Sequence, residues 1–339
     1  MKKALLPLFI ASALPAAAFA DVTVYGKANV SWQNTDLQNG GTYTELVNNA
    51  SRIGVKGGES INDDLKAIYL FEYETKPDDG SFSNTCTATS TTTAPAATTK
   101  TTCSVSGQTF SQRNIYVGLQ TAGGTVMAGM FDTPLKTSQE KVDLFNDLIG
   151  DMKSVLQGET RAKNVVQYTS PAFSNITASV AYVNSEVDKE DTGDGYSGSV
   201  VYNTKSIYLA LAADHNVTNA MNKTVFVDDT DIIRAVGRVV VGPVVLGALF
   251  QTYDNGVIDE DGYLASAQWN VNSEWAIKAQ YGQSEMISLD AETASIGLDY
   301  KISKATKVYA YYTQIEDGVA DITKQRDDNY AGVGIELNF

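Results

Sequence analysis

Beyond residue 20 the sequence contains no run of 18 consecutive apolar residues, so no transmembrane helix is available. Basic charge is also short, with 25 Lys and Arg against 40 Asp and Glu. That balance argues against nucleic-acid binding, which calls for a basic stripe. With His215 as the single histidine and only two cysteines, a metal site is not expected. No G-x-S-x-G segment supplies a nucleophile, and no glycine-rich phosphate loop opens a helix. The stretch 254–262, DNGVIDEDG, lacks the acidic spacing and closing Glu of a calcium loop, leaving at most loose divalent binding among outer loops. An enzyme is therefore not expected, and no cofactor is implied. Proline is scarce at 7, which removes a common breaker of strands.

What is present begins with Lys2 and Lys3, an apolar run from Ala4 to Leu14, and Ala18-Phe19-Ala20 before Asp21. This is the order of a secretory signal peptide over residues 1–20, with the mature chain expected as one domain over 21–339. Setting aside Lys2 and Lys3 leaves 23 basic against 40 acidic side chains, a net of −17. An exported chain without apolar helices can sit in a membrane only as a closed barrel, because every backbone polar group must be satisfied within it.

Alternation supports that choice. Val22, Val24, Gly26, Ala28, Val30 and Trp32 share one parity, with Thr23, Tyr25, Lys27, Asn29 and Ser31 on the other. The C-terminus repeats the pattern through Ala331, Val333, Ile335, Leu337 and Phe339. Between these ends about ten-residue alternating segments recur, long enough for tilted strands to cross a bilayer, and roughly sixteen are expected. Short joints at Gly242-Pro243, Asn272-Ser273 and Ser303-Lys304 trade places with longer polar loops near 185–195, 214–228, 254–261 and 316–328. Tight turns on one side and long loops on the other mark an outer-membrane barrel.

Two segments interrupt the pattern. Residues 76–112 hold a Thr/Ala-rich run bounded by Cys86 and Cys103, for which a disulfide is expected in an exported chain, contributing about 3 kcal/mol by loop closure. Residues 131–160 place Val142, Phe145, Leu148 and Ile149 at helical spacing, with Asp143, Asp147 and Asp151 four apart. A short amphipathic helix is expected there.

Several ordered motifs resemble the Gram-negative general porins, of neisserial and gammaproteobacterial type. They are Ser51-Arg52-Ile53-Gly54-Val55-Lys56-Gly57, Leu65-Lys66-Ala67-Ile68-Tyr69, Arg113 through Val117-Gly118-Leu119, Gly124-Thr125-Val126, Asp132-Thr133-Pro134, Arg161 with Tyr168-Thr169-Ser170-Pro171, and terminal Phe339. The resemblance spans the mature chain. It implies an all-β, sixteen-stranded antiparallel barrel in the outer membrane, assembled as a homotrimer among outer-membrane lipid. Each barrel would be a water-filled pore for passive diffusion of small hydrophilic solutes and ions. Residues 131–160 fall where the family's third loop folds inward, and Phe339 resembles the signal read by the barrel-assembly machinery.

The same resemblance sets Arg52, Arg113 and Arg161 on the wall against Asp143 and Asp147 on the loop, an arrangement that orients dipolar solutes. Lys27, Lys56, Lys163, Arg234 and Arg238 have lumen parity. Met130 and Glu336 stand where the family is usually basic, which suggests a weak cation preference. Two other functions fit the pattern: a substrate-specific channel, or an exported all-β adhesin or surface-structural protein.

Overall fold

The computed structural model describes residues 21–78, 83–93, 96–106, 110–186, 193–218, 230–318 and 326–339. The expected signal peptide over 1–20 lies outside them, as do parts of the polar loops near 185–195, 214–228 and 316–328.

Seventeen strand segments form one antiparallel sheet. Two of them, Gly41–Asn48 and Arg52–Asn62, are halves of a single strand, since both pair with Asp21–Leu37 and meet at residues 49–51. The sheet is therefore a sixteen-stranded barrel. It closes where Asp21–Leu37 pairs with Arg326–Asn338, from Lys27 opposite Asn338 to Asp36 opposite Asn329. Closure leaves this sheet without an edge strand.

The period-2 pattern decides which way each side chain points. Val24, Trp32, Leu211, Val241, Ile296 and Val333 stand exposed on the outer face, forming an apolar band. Their sequence neighbours turn inward, and many are polar: Asn29, Ser31, Gln33 and Thr35 are all buried inside the first strand. These inward groups form a network across the seam. Tyr309 donates to Asn29 Oδ1 at 2.6 Å and Tyr311 to Gln33 Oε1 at 2.6 Å. Asn49, at the strand break, donates to Ser31 and to Tyr309, both at 2.9 Å. Both tyrosines reach the first strand by passing over Gly332 and Gly334 of the strand between, where any Cβ would collide with their rings.

The apolar core lies inside the barrel, under residues 133–160. Val142, Met152, Val155 and Leu156 pack on Tyr208, Val236, Leu249 and Leu264 of the inner wall. Phe145 and Leu148 pack on Tyr309 and Tyr311, and Leu135 on Ala212 and Ile232. Burying each such side chain contributes roughly 2 kcal/mol, which holds the segment against one wall and leaves the opposite side of the lumen open.

The helix in this segment is not the one expected from the apolar spacing. It covers only Pro134–Thr137, with Thr133 capping Lys136 N and Pro134 at its start. A 3-10 turn at Met152–Ser154 follows. Helix cannot run through 142–149 because Glu140 and Asp147 adopt left-handed φ of 48° and 68°. Two buried carboxylates also take the backbone donors that a helix would use: Asp143 accepts from Phe145 N and Met152 N, and Asp151 from Asp147 N and Lys153 N. Of the expected apolar residues Val142, Phe145 and Leu148 are buried and Ile149 is half-buried, from turns rather than a helix.

Residues 83–106 form a separate two-stranded sheet, Ser83–Thr93 against Ala96–Ser106, in which Cys86 pairs directly opposite Cys103. The stretch 254–262 turns a hairpin at 255–258, with Asp254 paired to Asp259 and 259–262 already in the next strand. His215 ends the strand Ile207–His215 instead of lying in a loop, and its Nδ1 stands 2.7 Å from Asp231.

Candidate pore constriction

Residues 133–160 cross the lumen opposite the strands that carry the expected arginines, leaving an open space of about 540 Å³ between loop and wall. Asp147 projects from the loop into this gap. Its left-handed φ turns the carboxylate toward the wall, where Oδ2 accepts from Lys27 Nζ at 2.6 Å and from Arg52 Nη2 at 2.9 Å. Burial alone would push its pKa up, but Lys27 and Arg52 outweigh burial and hold it below the ordinary carboxylate range.

The other wall arginines are paired within the wall. Arg113 Nε meets Glu72 at 3.0 Å and its Nη1 meets Glu74 at 2.8 Å. Arg161 Nε lies 3.1 Å from Asp132, which also pairs with Lys136 at 3.1 Å. Glu140 on the loop meets Arg238 on the far wall at 3.1 Å. Each of these cations thus sits beside an anion, and the field across the gap is a set of short dipoles. Below it a ladder of alternating sign runs around the seam wall, Lys278 to Asp299 at 3.3 Å, Asp299 to Lys307 at 3.6 Å and Lys307 to Glu336 at 3.5 Å.

The expected residues therefore divide. Arg52, Arg113, Arg161 and Asp147 line the same gap, together with Glu74, Asp132 and Glu140. Lys27 joins them through Asp147. Lys56 lies over the inward-facing Tyr25 ring at 5.3 Å. Asp143 faces away from the gap: it is buried between loop and wall, where Gln280 donates to it at 3.0 Å in addition to its two backbone donors. Burial, and then the nearby Asp151 charge, push its pKa up to about 7.

Lys163 is not on the lumen side. One extra residue between Ala162 and Val165 shifts the register against Gly129–Phe131, Asn164 takes a φ of 55°, and Lys163 emerges on the outer face with Ala128, Met130 and Val166. Met130 is itself outward, so the charge missing there is not lost from the pore. Arg234 has inward parity but no exposure at all, being covered by the loop.

Glu72 and Glu74 were not among the expected site residues. Their signal was available, since they alternate with the outward Phe71 and Tyr73 in Leu65–Thr75. Asp132, Lys136 and Glu140 had no such signal, because their direction depends on the loop's path.

A family model described as Gram-negative porin matches residues 6–319. The chain belongs to the Gram-negative porins. Among curated proteins it is similar to the major outer membrane protein P.IB of Neisseria meningitidis serogroup B, 24% identical over 366 aligned positions covering 100% of both chains. Among solved structures it resembles the anion-selective porin from Comamonas acidovorans, with TM-score 0.72, 19% identity and coverage of 95% of this chain and 100% of that one. OmpT of Vibrio cholerae in its trimer form gives TM-score 0.60 and 15% identity, covering 94% and 99%. This porin is thus a Gram-negative outer-membrane β-barrel channel and not an enzyme.

Proposed function

We infer that this porin is a general-diffusion channel for small hydrophilic solutes and ions, weakly cation-preferring, whose narrowest zone lies between Asp147 on the loop and Arg52, Arg113 and Arg161 on the wall. The observation that carries this reading is the shared grip of Lys27 and Arg52 on Asp147, which bridges loop and wall. Around the gap the ion pairs set Lys27, Arg52, Arg113, Lys136, Arg161 and Arg238 against Glu72, Glu74, Asp132, Glu140 and Asp147. Six cations against five anions nearly balance, so neither ion sign is strongly favoured at the narrowest point. The acidic excess of the whole chain then biases entry toward cations, an effect that salt screens beyond about 8 to 10 Å.

Assembly completes the reading. Residues 1–20 act as a signal peptide, the mature barrel forms a homotrimer in outer-membrane lipid, and Phe339 is read by the assembly machinery. The register of Cys86 against Cys103 supports a disulfide, because directly opposed antiparallel residues lie about 4.5 to 5.5 Å apart at Cα, within the range a bridge requires. Planar-bilayer recording in a salt gradient tests the channel reading. A small reversal potential of cationic sign that grows as salt is lowered is expected, whereas strong anion selectivity would refute it. The mass of the detergent-solubilised particle tests the trimer.

A further inference from the structure

Arg234, on the strand Asp231–Val241, is fully buried, and all of its partners belong either to the loop or to Gln251 beside it. Its Nε donates to Gln251 Oε1 at 2.7 Å. One terminal nitrogen donates to Leu135 O at 3.3 Å and to Glu159 Oε1 at 2.9 Å, and the other to Gln157 O at 2.9 Å. Gln251 Nε2 adds a second donor to Gln157 O at 2.9 Å. Leu135 lies just after the loop leaves the barrel wall, and Gln157 and Glu159 just before it returns. A single planar fork therefore holds both stems of the loop together.

The surroundings are shaped to this grip. Gly158, with φ +89°, lies where the two stems meet; a Cβ there would fall 2.5 Å from Leu135 Cδ2 and 3.3 Å from Arg234 Nη2. The second oxygen of Glu159 accepts from Gln139 Nε2 at 2.9 Å, so the carboxylate also ties the returning stem to the departing one. Guanidinium suits this position because it offers five donors in a fixed plane, which neither lysine nor an apolar side chain can supply.

The geometry points to Arg234, with Gln251, as the positioning residue that fixes the pore aperture by clamping both stems of the 133–160 loop to the far wall. This rests on the reading that the loop bounds the pore. Arg234 has no exposed surface and its charge is paired with Glu159, so it acts through the loop and not on the permeating ion. Loss of the clamp releases the stems while Asp147 and the wall arginines remain in place. The current then fluctuates, and the ratio of cation to anion permeability stays the same.

The test is single-channel recording of wild type, Arg234→Met alone and with Glu159→Gln, Gln251→Leu and Arg52→Ser in a planar bilayer. Arg234→Met is expected to raise open-channel noise about twofold or more, with substates, because local opening follows the loss of buried contacts. With Glu159→Gln added to neutralise the carboxylate that Arg234 leaves behind, its permeability ratio should stay at the wild-type value, whereas Arg52→Ser should shift the ratio and leave the current steady. Steady current in Arg234→Met, or a ratio shift in the double variant as large as that of Arg52→Ser, overturns the clamp. If Arg234→Met does not fold, Gln251→Leu decides: it removes the bond to Gln157 O and the acceptor of Arg234 Nε while leaving the Arg234–Glu159 ion pair intact, so added noise supports the clamp and steady current refutes it. Should Arg52→Ser leave the ratio unmoved, the fault lies with the placement of the constriction instead.

Discussion

Gly26 and Phe339 exchange both backbone hydrogen bonds, at 2.9 and 3.0 Å, and the phenyl ring covers the glycine on the outer face. The last residue of the chain thus seals the first strand, and a side chain at Gly26 would occupy the ring's place. Gly26→Val should lower stability by about 1 to 3 kcal/mol through this overpacking. A fall in the temperature at which the folded electrophoretic form is lost would register it. Phe339→Asp should in addition reduce surface levels; because Gly26→Val keeps the aromatic terminus, the pair separates recognition from packing.

Asp147→Asn frees Lys27 and Arg52 from their shared carboxylate and leaves the gap more positive. The permeability ratio should move toward anions by about twofold, and more at low salt, where screening is weaker. Reversal potentials at two ionic strengths provide the measurement. An unchanged ratio would place Asp147 outside the ion path.

Two carboxylates of the loop respond to pH in opposite senses. Asp143 is raised to about 7 in the fold by burial and by Asp151, so its contribution to stability is fully present below the ordinary carboxyl pKa and is lost as pH rises through about 7. Asp147 is held low by Lys27 and Arg52 against the effect of burial, so its contribution is present above the ordinary value and lost in acid. The unfolding midpoint of Asp143→Asn should therefore depend less on pH than wild type between about pH 5 and about pH 8. The substitution also carries a constant cost, since an amide nitrogen would face one of the two backbone N–H donors that the carboxylate accepts. An equal pH slope in both proteins would show that Asp143 stays ionised in the fold.

Thiol alkylation of the exported protein should label neither cysteine before reduction and both Cys86 and Cys103 after it. Cys86→Ser with Cys103→Ser should leave the barrel's thermal midpoint nearly unchanged, because the hairpin they join is a sheet separate from the barrel. A large fall in that midpoint would mean that the hairpin stabilises the wall.

The outer face was legible in the sequence because nothing intervenes between strand period and solvent. Val22 to Trp32 alternates in the barrel as it does in the chain, and the same holds from Ala331 to Phe339. The inner face was legible only in part. Arg52 points where parity sends it, but Arg113 and Lys163 do not: one extra residue between Gln112 and Ile115 turns Arg113 inward although Val117 and Leu119 of the same parity face out, and one before Val165 reverses the side of Lys163. Arg234 obeys parity and is nonetheless covered, since exposure inside a barrel depends on the path of the loop. That path was hidden by Asp143 and Asp151, whose spacing suggested a solvated helix face and whose oxygens instead bind backbone within turns. Local periodicity cannot separate these outcomes, because a buried carboxylate gathering N–H donors and an exposed one look alike in sequence.

The tyrosines that pass over Gly332 and Gly334 have a consequence for the order of assembly. Tyr309 and Tyr311 gain their partners on the first strand only when the intervening strand is in register and carries no side chain at positions 332 and 334. Until the strand Arg326–Asn338 is laid down, Asn29, Gln33 and Asn49 have no partners from the other end of the chain. Their contacts span some 260 to 280 residues, the kind of pairing whose loop-closure entropy makes it slow to form. Insertion of the last strand is therefore what lets the side chains of three strands complete their hydrogen bonding across the seam.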